Sequence, residues 1–174
     1  MALAYNNLDA RTREEMSKEL AAYAAVEDVY RSPRLNDNGK ARWVALLGEA
    51  AAKHDDAWLA GQLRSESLLK KEETATRKGK TYVKSVPVTA PGTLAEGEFN
   101  RWYIRGLCVR AIAEGIKSVI VYRARGSDNP RPESEALIGA KLDPAALLED
   151  LRKSQGKEPS LLPYVNSGLS VRLP

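Results

Sequence analysis

One cysteine and one histidine in 174 residues leave little room for several kinds of chemistry. Cys108 stands alone, which excludes an internal disulfide and a thiolate zinc cluster, since both need several thiols. It reads as a small buried hydrophobe. A cysteine–histidine nucleophilic pair would have to join Cys108 to His54, and nothing in their placement supports it. Long apolar runs are missing: none approaches the roughly 20 residues that span a membrane, so no membrane partner is expected. The first residues lack a basic stretch followed by an apolar one, so no secretory signal is expected and the protein is expected to be made and used, or assembled, in the cytosol. The phosphate-binding patterns G-x-x-x-x-G-K-[ST] and G-x-G-x-x-G do not occur, and the helix–glycine–strand order around Gly115 reverses what a phosphate loop requires. No catalytic residue, cofactor or metal site is therefore expected, and the protein is read as not an enzyme.

What is present is an ordinary globular composition, 43% hydrophobic and 29% charged, of a length suited to one domain. The net charge of +4 is uneven. Residues 1–75 carry 11 basic and 13 acidic side chains, residues 76–128 carry 10 and 4, and residues 129–174 carry 6 and 6, so the middle holds the positive excess. Such a segment can face phosphates or an acidic protein surface, or be a solvated face.

The first third reads as a helical hairpin. Asp9 or Thr12 can cap a first helix, on which Met16, Leu20, Tyr23 and Ala24 recur at helical spacing. Ser32-Pro33 and the cluster Asn36-Asp37-Asn38-Gly39 read as the turn. A single long helix is expected from Lys40 through Leu59, carrying Trp43, Leu46, Leu47, Ala50, Ala51, His54 and Trp58. His54, Asp55 and Asp56 invite a metal or acid–base reading, but adjacent helical residues diverge by about 100°, so capping or hydrogen bonding is the simpler role. Residues 70–80 have no apolar period and read as a flexible, partly basic connection; residues 81–86 read as an edge strand bounded by Pro87 and Pro91.

The segment 99–126 is the organising centre. A helix is expected from Phe99 through Glu114, with Thr93 and Glu96 in capping-box spacing before it and Gly115 ending it. Tyr103, Ile104, Leu107, Cys108, Ala111 and Ile112 form its main apolar face, while Phe99, Trp102 and Val109 fall partly outside, which implies cover on more than one side. Residues 118–122 read as a buried strand. Arg101, Arg105, Arg123 and Arg125 form a basic rim that can fork around phosphate or carboxylate groups, or bridge acidic residues of the helical hairpin or a neighbouring subunit. Asp143-Pro144 opens a short helix running to Lys153. The remainder, with Leu161, Leu162, Tyr164, Leu169 and Val171, reads as an extended arm lying over its own domain or a partner. The expected fold is thus α+β: an N-terminal helical hairpin region (1–72), an α+β region of the same domain (73–156) with a central helix and a small sheet, and an extended C-terminal arm (157–174).

Three segments, EFNRWYIRGLCVRAIAEG at 98–115, VYRARGSDNPRPESEALIG at 121–139 and NSGLSVRLP at 166–174, resemble an uncharacterised family of tailed-bacteriophage and prophage virion structural proteins, and HDDAWLA at 54–60 extends the resemblance. It implies a virion protein assembled in the host cytoplasm, a minor capsid, decoration or head-completion component. Its partners would be capsid or head–tail neck proteins, or further copies of itself. The ending 166–174 is also similar to the terminal peptides that dock cargo inside encapsulin shells. Arg101, Arg105, Arg123, Arg125, Leu161, Leu162, Tyr164, Leu169 and Val171 are the expected partner contacts. The alternative is a nucleic-acid-binding or regulatory module using the four arginines and the Lys78–Lys84 region, whose binding would weaken steeply with salt.

Overall fold

Three helices open the chain in the computed structural model, which describes residues 3–126, 129–162 and 167–174. Asp9 starts α1 (Ala10–Ala25) by accepting the Thr12 amide at 3.0 Å. Asn36 starts α2 (Asp37–Lys53) in the same way, accepting the Gly39 amide at 2.8 Å, so the Asn-Asp-Asn-Gly cluster is a helix start. The long helix expected through Leu59 is broken. His54 is extended, and the Asp55 carboxylate accepts the Trp58 amide at 2.9 Å to begin α3 (Asp56–Ser65). Aspartate offers the backbone this local alternative, which outweighs the helix preference of the alanines around it. From α1, Arg13 donates to the carbonyls of Ala50, Ala51 and His54 at 3.2, 3.0 and 2.8 Å, placing a cation at the negative end of α2.

The stretch expected as a flexible connection is instead paired. β1 (Glu72–Arg77) and β2 (Lys80–Ser85) form an antiparallel two-stranded sheet joined by Lys78 and Gly79, both at positive φ (49° and 75°). That geometry matches a mirror-image hairpin turn, whose twist suits the flanking strands. All six β2 residues are exposed, which is why no apolar period marks the strand.

α4 (Ala90–Ala113) begins before the expected capping box, with a proline in its first turn. Every residue from Ala95 to Cys108 is buried, so the helix has no solvent face over that length. α1, α2 and α3 pack against it from the N-terminal third of the chain. Gly106 is where α1 comes closest: a Cβ there would lie 2.5 Å from Met16 Cγ and 2.7 Å from the Met16 nitrogen. Gly115, at φ 71°, ends the helix region.

β3 (Val119–Arg123), α5 (Pro132–Ala136), β4 (Lys141–Leu142), α6 (Pro144–Lys153) and β5 (Leu169–Arg172) complete the fold. The second sheet is antiparallel in the order β4-β3-β5, with Val121 opposite Val171 and Val119 opposite Leu142. Buried Val119 and Val121 join Leu169 and Val171 in a core that also holds Met16, Trp43, Phe99 and Leu147. α6 and β5 pack on α4. Asn100 fixes β5 in place: its Nδ2 donates to the Leu169 carbonyl at 2.8 Å, and its Oδ1 accepts from Ser170 Oγ at 2.7 Å. The protein is α+β, with N-terminal helices, small antiparallel sheets and a C-terminal extension.

Candidate binding surfaces

Of the basic rim on the central segment, Arg101 and Arg105 are buried, while Arg123 and Arg125 are half-buried; Arg105 takes the other expected role, bridging an acidic residue of the N-terminal helices. Arg105 is 0% exposed; its Nε and Nη2 donate to Glu19 Oε1 at 3.0 and 2.7 Å. Its guanidinium carbon lies 3.9 Å from the Tyr23 ring centroid and 4.0 Å from that of Trp102, a cation held between two aromatic faces. Arg152 from α6 completes the cluster, donating to both Glu19 oxygens at 2.8 Å. Burial works to raise the Glu19 pKa, but hydrogen bonds from Arg152 and Arg105 hold it below the ordinary value. Arg101 is equally enclosed, and donates to the Leu151 carbonyl (3.0 Å), Ser154 Oγ (3.1 Å) and the Lys157 carbonyl (2.9 Å), closing the end of α6. Arg123 pairs with Glu135, and Arg125 with Glu96 at 3.0 Å. Arg101 and Arg105, on the covered stretch of α4, can only remain charged by finding carbonyls and carboxylates, and both have done so; Arg123 at the end of β3 and Arg125 just beyond it are half-buried.

The C-terminal contacts are mostly internal as well. Leu162, Leu169 and Val171 are buried, whereas Leu161 is exposed. Tyr164 lies outside the described residues. Because β5 is a sheet strand whose apolar side chains fill the core, residues 169–172 are not a free docking peptide of the encapsulin kind.

The His54 triplet has structural roles. The His54 ring stacks on Trp58 with centroids 4.3 Å apart, and Asp55 is the α3 cap. Asp56 is buried, accepts the Leu3 amide at 3.2 Å through Oδ2, and leaves Oδ1 without a protein partner. Burial pushes its pKa up to about 6. Glu98, on the wall of a small cavity with Tyr30, Arg34, Arg101 and Lys157, is raised to about 7, again by burial, against the pull of Arg101 and Arg105. Burial also raises the Cys108 thiol, which suits an inert core residue. Among the described residues no group of three or more His, Cys, Asp or Glu could hold a metal ion.

The unengaged chemistry lies on the β1–β2 hairpin, whose first strand falls in the expected connection and whose second is the expected edge strand. Cross-strand partners share a face. On one face stand Glu73 opposite Lys84, Ala75 opposite Tyr82 and Arg77 opposite Lys80. The root is anchored: Glu73 meets Arg34 at 2.6 Å and Lys84 at 3.2 Å. The tip is not. Arg77, Lys78 and Lys80 are exposed, as are Tyr82 (46%), Val83 (64%) and, just beyond β2, Val88 (92%). Among the described residues each strand pairs only with the other, so the ribbon presents open backbone edges. Lys78-Gly79 between β-favouring residues, Thr74 and Thr76 before it and Thr81, Tyr82 and Val83 after it, was the available sequence signal for this element.

Among the described residues no helix is long and apolar enough to cross a membrane. Compared with known proteins, the chain matches no protein-family model, no curated protein and no solved structure.

Proposed function

We propose that this chain is a non-enzymatic assembly protein of a phage-type particle, a minor capsid, decoration or head-completion component whose packed body carries the β1–β2 hairpin as its contact arm. One observation carries the reading: a two-stranded ribbon whose second strand is exposed at every residue, with Tyr82, Val83 and Val88 open beside unpaired backbone edges. Two strands alone are marginally stable in water, and open edges are templates for a neighbouring chain. The segments that carry the virion resemblance, 98–115, 121–139 and 166–174, include α4, β3 and β5, the elements that build the core. On this reading they account for the scaffold, and the hairpin accounts for the contact with capsid or neck neighbours or with other copies.

Density-gradient fractionation of particles released from cells that carry the gene tests the proposal. The chain should sediment with particles and survive a salt wash. A chain that stays at the top of the gradient in every fractionation, as a monomer, would contradict it.

A further inference from the structure

We propose that the Tyr82 face of the hairpin binds single-stranded nucleic acid, with Arg77, Lys78 and Lys80 against its phosphates and a base stacked on the Tyr82 ring. This rests on the reading of the hairpin as the contact arm and adds a second ligand to it, with the backbone edges left for protein neighbours and the Tyr82 face for nucleic acid. Many cations of the body are paired: Arg34 with Glu73, Arg42 with Glu66, Arg110 with Asp9, Arg152 with Glu19. At the tip three stand together without a carboxylate. Arg77 and Lys80 lie directly opposite each other, with Lys78 between them in the turn, and none of the three enters an ion pair or side-chain hydrogen bond among the described residues. Residues 74–95 contain these cations and Lys84 but no carboxylate. A like-charge pair directly across a ladder destabilises the ribbon, and an anion between the two side chains would reverse that cost.

Charge alone would fit any acidic surface; the neighbouring residues narrow the choice. Tyr82 follows Lys80 on the same face, about 7 Å along the strand at the usual rise. Its cross-strand partner is Ala75, a side chain too small to cover the ring, which is 46% exposed. A cationic rim beside an accessible aromatic ring is the arrangement that holds a single strand, because the backbone meets the cations and every base has a face to stack. A duplex keeps its bases stacked and offers nothing to the ring. The hydroxyl and the open faces of Tyr82 would gain little from an acidic peptide.

Fluorescence anisotropy of the full chain with labelled oligothymidine of about 16 nucleotides, within the range of known single-strand site sizes, reads this directly. Titrations between about 50 and 200 mM NaCl should give a linear fall of log affinity with log salt. The double variant Arg77→Gln with Lys80→Gln should flatten that slope by about 1.4, two phosphate contacts at about 0.7 each. It removes a repulsive pair, so its hairpin should fold at least as well. Tyr82→Ala should weaken binding about tenfold with the slope unchanged, and Tyr82→Phe should restore it. A duplex of the same length should bind more weakly.

Absence of binding at the lowest salt, or an unchanged slope in the double variant, overturns the assignment. So does displacement by polyglutamate at equal charge with no effect of Tyr82→Ala, which would give the face to an acidic protein. Particle sedimentation without oligothymidine binding would remove the nucleic-acid assignment and leave the assembly reading intact.

Discussion

Glu19, Arg105 and Arg152 show how charged residues serve this core. Removing Glu19 strands a guanidinium that is 0% exposed, so Glu19→Ala should cost about 3–5 kcal/mol in urea unfolding. Arg152 is 40% exposed at its side chain, so Arg152→Ala should cost no more than about 1 kcal/mol. The carboxyls also set opposite pH dependences. Glu19 has a folded pKa below its ordinary 4.5, so its contribution is present above that value and is lost as pH falls through the folded pKa. Asp56 is raised from 3.8 to about 6, so its contribution is full below 3.8 and is lost as pH rises through about 6. Asp56→Asn keeps an acceptor for the Leu3 amide and cannot ionise. Thermal melts should show this variant more stable than the parent at neutral pH, by at most about 3 kcal/mol, and equal to it below the ordinary aspartate pKa. Residue-level features were legible where they are local: Asp9 and Asp143 cap amides three positions on, a spacing visible in sequence. The Glu19–Arg105 pair spans 86 residues, and no spacing rule reaches that far.

At the scale of elements, the same contrast separates α4 from the hairpin. Apolar residues on more than one side of α4 implied cover on more than one side, and from Ala95 to Cys108 every residue is buried. Its neighbours were not legible, because close approach depends on Gly106 facing Met16 of α1. Gly106→Ala should push α1 away and cost about 1–3 kcal/mol by calorimetry, with the helix propensity gain too small to offset it. The break between α2 and α3 went unread since alanine-rich sequence on both sides favours continuation, and only the Asp55 cap decides otherwise. Half of the hairpin was legible: the β-favouring residues 81–86 mark β2 as an edge strand, whereas β1 carries no apolar alternation, because neither face of the ribbon is buried in the body. Lys78 bears a positive φ that asparagine tolerates better, so Lys78→Asn should slow amide hydrogen exchange across β1 and β2 without moving the global melting temperature.

Over the whole molecule, the central segment and the arm divide the work. The arginines that drew attention in the sequence tie α4 to α1 and α6 and β3 to α5, while a cluster of three exposed cations without ion pairs among the described residues sits at the end of the ribbon. The C-terminal extension, the other expected contact, closes the β4-β3-β5 sheet through β5. The proposed function therefore falls to the hairpin, and stability to the rest. Replacing residues 74–83 with Asn-Gly leaves Glu73 opposite Lys84 as the flanking pair of a short turn and keeps the Arg34 anchor. Sedimentation of this shortened chain with particles is the most direct test. It should melt with the parent yet remain unbound at the top of the gradient; a shortened chain that still sediments with particles would contradict the assignment.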